Sequence, residues 1–407
     1  MTRFSRSAGA LVVLAWLAGP ALPVLAADPT AEQTASMTKR LHEDLARTFV
    51  LSAALKLDPE LRTEAEGIAA AHLERIRQVL PAWIGEERRL QTAESGKPDA
   101  NALFFAVFAR VLNELALWHL APGDAAYEQA TLAAIAASPQ VCSTEDDPRF
   151  VDFASRILRV QAMPPGQRKH ALATERSLLA AWGKPRKAVP AWPAPLPQDA
   201  AMAAIAQARS GGKPTPLPLP PFLASVLLAQ GKAYQDVHWE SRCAVQRWWL
   251  RVSLAAKTAP DAALNAFRYG TLMTATERFG TMFETEASLA AKVDPAARPA
   301  YPRMAQRFDV TGATTITRSF DAAGKPVGAS ISARQITVRG IRGVRPVAFE
   351  NTFDAPSLRY ALANAAPAKP GEPPPATFKM DWSLESSEAP AGAPPGRPSA
   401  TAAGAKP

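Results

Sequence analysis

Gly312-Ala313-Thr314-Thr315-Ile316-Thr317-Arg318-Ser319-Phe320-Asp321, then Ala322-Ala323-Gly324-Lys325-Pro326 and a second extended run over residues 327–337, is the stretch on which the reading of this chain turns. The first run is rich in Thr and Ile, with apolar positions two apart, the pattern of a half-buried strand. Residues 321–326 supply the Asp, Gly and Pro that tight connections need, so the two runs are predicted to form a hairpin. Residues 355–364 are predicted as a short helix, with Asp354 able to cap it and Leu358 and Leu362 on one face. After a Pro-rich interruption, residues 377–385 alternate again and place Phe378, Met380, Trp382 and Leu384 on one side. Residues 300–386 therefore read as a small α+β domain, a short antiparallel sheet with one or two helices.

Upstream, residues 30–295 read as a mainly α-helical domain. Met37, Leu41, Leu45 and Phe49 recur every four residues over 31–56, and Ile68, Leu73, Ile76 and Leu80 form the inward set over 61–80. Pro81 is expected to stop or kink that second helix. Gly96-Lys97-Pro98-Asp99 is a turn. Residues 101–120 are apolar nearly all round, but Arg110, Asn113 and Glu114 interrupt them, which predicts a buried central helix rather than a membrane span. Helical patterns return at 125–137, 150–162, 222–230, 234–257 and 261–292. Between them, residues 185–221 form a Pro-rich excursion of extended backbone. The tail 387–407 is Ala, Pro, Gly and Ser, with nothing to bury, and is expected to be disordered.

At 407 residues and 47% hydrophobic, the chain can bury sizeable cores. Residues 1–26 read as an export signal, with Arg3 and Arg6 ahead of an apolar middle and small residues at 24–27. Pro20 and Pro23 interrupt that middle, so a cleaved signal and a periplasmic address are expected, with an uncleaved membrane anchor as the alternative. The formal charge is +9, yet an exported protein rarely meets nucleic acid, so none is expected as a partner. Most of the excess is diffuse. Arg334, Arg339, Arg342 and Arg345 are the exception, and they read either as a solvated edge or as a surface drawn to an anionic lipid, a cell-wall polymer or an acidic partner segment. Cys142 and Cys243 are an even pair in an oxidising compartment and are predicted to form a disulfide.

Catalytic patterns are sparse. His42, His72, His119, His170 and His238 are scattered, and each is expected at the surface or as a satisfied polar residue. Ser36-Met37-Thr38-Lys39 has the Ser-x-x-Lys spacing but lacks the companion Ser-Asp-Asn and Lys-Thr-Gly patterns. Gly211-Gly212-Lys213-Pro214 lacks the spacing of a phosphate loop. The run Glu145-Asp146-Asp147 lacks the alternation of a calcium loop. No catalytic residue, metal or cofactor is expected, and the chain reads as non-enzymatic. An envelope enzyme acting on cell-wall polymer is the alternative that only the address permits.

Tyr301-Pro302, the run 312–326, the predicted helix and the last strand resemble, in order, the C-terminal domain of TonB, the periplasmic energy-transducing protein of Gram-negative bacteria. Two departures stand out: the longer, more basic segment 338–346 and the Pro-rich loop 365–376. The resemblance implies binding of an extended segment from an outer-membrane receptor in an energy-transduction or transport role. The physical route is strand addition to an exposed edge, with Thr377, Phe378, Lys379, Met380, Asp381 and Trp382 as the strand and Arg339, Arg342 and Arg345 as auxiliary contacts. Self-association of a helical scaffold through the same domain is the alternative partner reading. Contact with a membrane is expected only if the N-terminal segment stays uncleaved.

Overall fold

The stripe Met37, Leu41, Leu45 turns inward on α1 (Ala31–Ala46), and a 3-10 turn at Arg47–Phe49 carries Phe49 into the same core. The computed structural model describes residues 31–53, 55–137, 153–184, 189–192, 250, 259–290, 294, 297–321, 324, 326–364 and 376–384. The export signal, both cysteines, most of the Pro-rich excursion, the helical patterns at 222–257 and the tail lie outside these residues. Helix α2 (Pro59–Ser95) runs for 37 residues, straight through Pro81. Pro81 therefore does not stop it: the ring is exposed to solvent, while Leu80, Trp83 and Ile84 beside it are buried and hold both halves on the core. Gly96 closes the helix with a left-handed φ of 72°, and Asp99 caps the next by accepting from the Ala102 N–H at 2.7 Å.

Helix α3 (Ala100–Leu120) is the only helix among the described residues long and apolar enough to cross a membrane, and it is mostly buried among its neighbours. Helix α7 (Pro260–Thr281) packs on α3 together with α2, while α4 (Ala125–Ala137), α5 (Phe153–Ala162) and α6 (Pro165–Ala180) pack on one another, with α5 and α6 also against α2 and α4 against α7. The predicted segment 261–292 is broken by a turn, after which α8 (Glu286–Ala290) is a separate short helix.

A five-residue helix, α9 (Arg303–Arg307), leads into a three-stranded antiparallel sheet of β1 (Val310–Phe320), β2 (Pro326–Val338) and β3 (Thr377–Trp382), in the order β2-β1-β3. The hairpin forms as the alternation predicts. Gly312 sits in β1 at φ 153°, where an added Cβ would lie 1.9 Å from the Gln335 carbonyl oxygen on β2, so the two strands approach only because no side chain intervenes. Helix α10 (Asp354–Ala363) covers one face of the sheet. Its buried side is Asp354, Pro356, Ser357 and Ala361, while Leu362 is exposed, which corrects the predicted Leu358–Leu362 face. The Ser357 hydroxyl is fastened to Thr314 at 2.8 Å and accepts from the Trp382 indole at 3.3 Å, and that rotates the helix. Nor does Asp354 cap the helix; it is buried in the first turn and paired with Arg334 at 2.6 Å.

The result is a mostly helical N-terminal region and a C-terminal three-stranded sheet packed against a helix. One buried apolar cluster runs through both, from Met37 to Trp382. Phe308 is its hinge point, with ring centroids of Phe105, Phe108, Phe283 and Phe349 between 5.2 and 5.9 Å away.

Candidate docking edge

Backbone alternation decides what β3 offers. The Ala376 carbonyl, just before the strand, accepts from the Arg318 N–H of β1 at 2.7 Å. The Asp381 carbonyl instead accepts from Arg298 Nη2, outside the sheet, at 3.1 Å. Even positions thus face β1, and the backbone groups of Thr377, Lys379 and Asp381 face outward. Side chains alternate with them: Met380 and Trp382 are buried against α10, and Thr377, Lys379 and Asp381 are exposed. Pairing of β3 with β1 is continuous from Thr377 to Trp382. The opposite edge differs, because the β1–β2 register slips at Thr315/Ile316 and at Ser319/Phe320. Such bulges twist an edge away from further pairing, so β3 is the regular rim of this sheet.

Behind the rim the strand is rigidly backed. Trp382 stacks on Phe353 at 4.6 Å and 10°, and the Tyr301 ring meets both rings edge-on. The Tyr301 hydroxyl donates to the Val310 carbonyl, and burial pushes its pKa up to about 12. Arg318 crosses beneath, over the rings of Phe320 and Phe378, and donates to the Asn364 carbonyl at 2.9 Å. On the solvent side Lys379 and Asp381 pair at 3.2 Å.

The basic residues singled out in sequence sit elsewhere, along the seam with the helices. Arg342 meets Glu94 of α2 at 2.7 Å, and that hydrogen bond draws the Glu94 pKa down. Arg345 clasps Glu350 at 2.5 and 2.7 Å and reaches the Pro190 carbonyl at 2.7 Å. Arg334 lies over the Trp192 ring at 4.8 Å while pairing with Asp354, whose carboxyl burial raises against the pull of that arginine. Arg339 lies between Asp309 and two glutamates of α2. The structure therefore gathers residues 377–382 into one strand and does not bring the arginines to it. Sequence reasoning missed Arg298 and Trp192; the isolated Trp in a Pro-rich run was the available signal for the second.

Inside the helical layer lies a closed polar cluster. Arg156 pairs with Glu175 at 2.9 Å, the Tyr127 hydroxyl donates to the same carboxylate, and Arg268 grips Glu128 at 2.7 and 2.8 Å. Burial pushes the Tyr127 pKa well above its ordinary value. His119 is buried and bonded to the Arg268 carbonyl and the Thr271 hydroxyl. His72 departs from the expected satisfied histidine: it is fully buried, with neither ring nitrogen hydrogen-bonded. Among the described residues no group of three or more His, Cys, Asp or Glu side chains is placed to hold a metal.

Comparison with models of known protein families, with curated proteins and with solved structures returned no match. The docking edge therefore stands on its own geometry.

Proposed function

We propose that this chain is an exported, non-enzymatic interaction protein whose β3 rim takes up an extended segment of a partner, an outer-membrane receptor being the class that the TonB-like order of elements suggests. The observation that supports it is the unbulged edge, with Thr377 and Lys379 turned outward and, among the described residues, only the Asp381 carbonyl capped, by Arg298. A visiting strand would displace that cap and satisfy the rim groups. Each backbone hydrogen bond gained contributes only about 0.5–1.5 kcal/mol net. The backbone would therefore hold the visitor, and Lys379 and Asp381 would select it by charge.

Self-association is a second reading with its own support. Two β3 strands paired antiparallel about Met380 would set Lys379 of each opposite Asp381 of the other, a favourable cross-strand pair. A photo-crosslinking residue at position 379, compared with one at Ser332 on the bulged edge, tests both readings in the exporting cell. Adducts at 379 alone, lost when Asp381→Pro distorts the rim, are expected. A product of twice the chain mass would assign self-pairing. No adduct, or equal adducts at both edges, would sink strand addition.

A further inference from the structure

Away from the docking edge, a cavity of about 230 Å³ opens where α3 meets the corner between α9 and β1. Phe105 and Phe308 line it, in edge contact at 5.5 Å, together with Gln306, Arg307, Asp309 and Arg339. Asp309 is the sole non-glycine residue with positive φ among the described residues, at 49°. Most L residues avoid that region, Asp less than others, and Asp309 takes it directly after the C-cap of α9, where a left-handed residue ends the helix and turns its carboxylate beside the cavity.

Arg339 is unusual in a second way. Its nearest carboxylates are Asp309 at 3.4 Å, Glu94 at 3.8 Å and Glu87 at 3.9 Å. Arg334, Arg345 and Arg268 reach theirs at 2.6, 2.5 and 2.7 Å. Nε of Arg339 is buried without a hydrogen bond, and so is Oε2 of Glu87, itself almost wholly buried. A guanidinium shared loosely among three carboxylates keeps donor capacity in reserve. Gly340 holds it in place: at φ 78°, an added Cβ would lie 2.4 Å from the Ala106 carbonyl oxygen, so the loop presses flat on α3.

The charges decide the ligand class. Of the charged groups that line the cavity, Arg307, which is exposed and has no described charged partner, and Arg339 are positive and Asp309 is negative; behind them Glu87 and Glu94 face Arg339, and Arg342 pairs with Glu94, which brings the set to three of each sign. The cluster is balanced, so a ligand with one unpaired charge leaves the site unbalanced, whereas one bearing both signs does not. The volume lies below the range of about 300–1,000 Å³ usual for drug-sized ligands, which points to a monomer. We propose that this cavity binds a free α-amino acid with an apolar side chain, its carboxylate on Arg339 and Arg307, its ammonium on Asp309, and its side chain against Phe105 and Phe308. The proposal is independent of the docking edge.

Isothermal titration and thermal shift of the full chain with L-leucine, L-methionine and L-phenylalanine test it, beside N-acetyl-leucine, which lacks the ammonium, and leucinamide, which lacks the carboxylate. Saturable binding and a raised Tm are expected with at least one free amino acid, and affinity at least about tenfold weaker for both blocked forms. Arg339→Gln should weaken binding by at least about tenfold. Arg307→Gln, at an exposed position with no described partner to lose, should weaken it several-fold at unchanged Tm and stands in if Arg339→Gln does not fold. Asp309→Asn, which keeps a residue that tolerates the left-handed turn, should weaken binding by removing the charge that meets the ammonium. Absence of saturable binding across the panel, equal affinity for the blocked forms, or wild-type affinity in Arg307→Gln would overturn the proposal.

Discussion

His72 stands on the line Ile68, Ile76, Leu80 of α2, four residues apart, and the fold treats it as one of them. Its ring lies among Phe49, Trp118, Phe153 and Trp182, at centroid distances of 4.5 to 6.3 Å. Burial, aided by the nearby Arg156 charge, lowers its pKa to about 2. The ordinary value of 6.5 applies in the unfolded chain, so between these values the unfolded state binds the extra proton. Stability is then fully present above pH 6.5 and is lost as pH falls, by about 2 kcal/mol at pH 5 from this residue alone. His119, also lowered by burial, acts in the same direction. His72→Leu is expected to unfold at equal or higher urea concentration at pH 7.5 and to lose markedly less stability between pH 7.5 and 5. An unchanged acid dependence would show that His72 is not buried neutral. The four-residue spacing carried a signal for this burial, but the inward set read from sequence held Leu73, which is only half-buried, in place of His72, and the lack of any hydrogen-bond partner had no local signal, because it depends on which neighbours close over the ring.

Elements were legible where the pattern of burial follows the pattern of polarity. The hairpin, β3, α3 and α4 follow their periodicity closely. Helix α6 was missed for a physical reason: its inward face includes Glu175, a carboxylate buried only because Arg156 and Tyr127 meet it from α5 and α4. A buried charge that is satisfied by other elements breaks the apolar stripe and hides the helix. Helix α2 errs the other way, since Pro81 reads as a breaker and yet lies within it. Its missing N–H leaves one helical hydrogen bond unmade, on the solvent side. Pro81→Ala is therefore expected to stabilise the protein by about 1–3 kcal/mol, part of the helix-interior cost of proline. A lower denaturation midpoint for this variant would mean that the proline shapes α2 for packing.

Across the whole molecule, the sheet and the helices share one interior. Phe308 joins Phe105 and Phe108 of α3, Phe283 after α7, and Phe349 before α10. Truncating it opens a cavity at the seam, and Phe308→Ala is expected to cost about 3–5 kcal/mol. Helical circular dichroism and the hydrogen-exchange protection of the β1 and β3 amides should then be lost together in one transition; if only one moved, the helical layer and the sheet would be folding independently. Deleting residues 300–407 to test partner binding would strip this seam and expose its phenylalanines, so substitutions at the rim are the cleaner probe.

By itself the sequence determined the class of architecture: helices followed by an antiparallel hairpin, a helix and a last strand. Local alternation and four-residue spacing suffice for that, because they depend on each element having one face to bury. Only the tertiary structure decided where the charges meet and which turns carry them. Arg334, Arg342 and Arg345 are met by this chain's own carboxylates, Glu175 is buried with partners from two other helices, and Asp309 is held in a left-handed turn beside a cavity. These outcomes depend on residues far apart in the chain arriving at one place, and no local pattern carries that information.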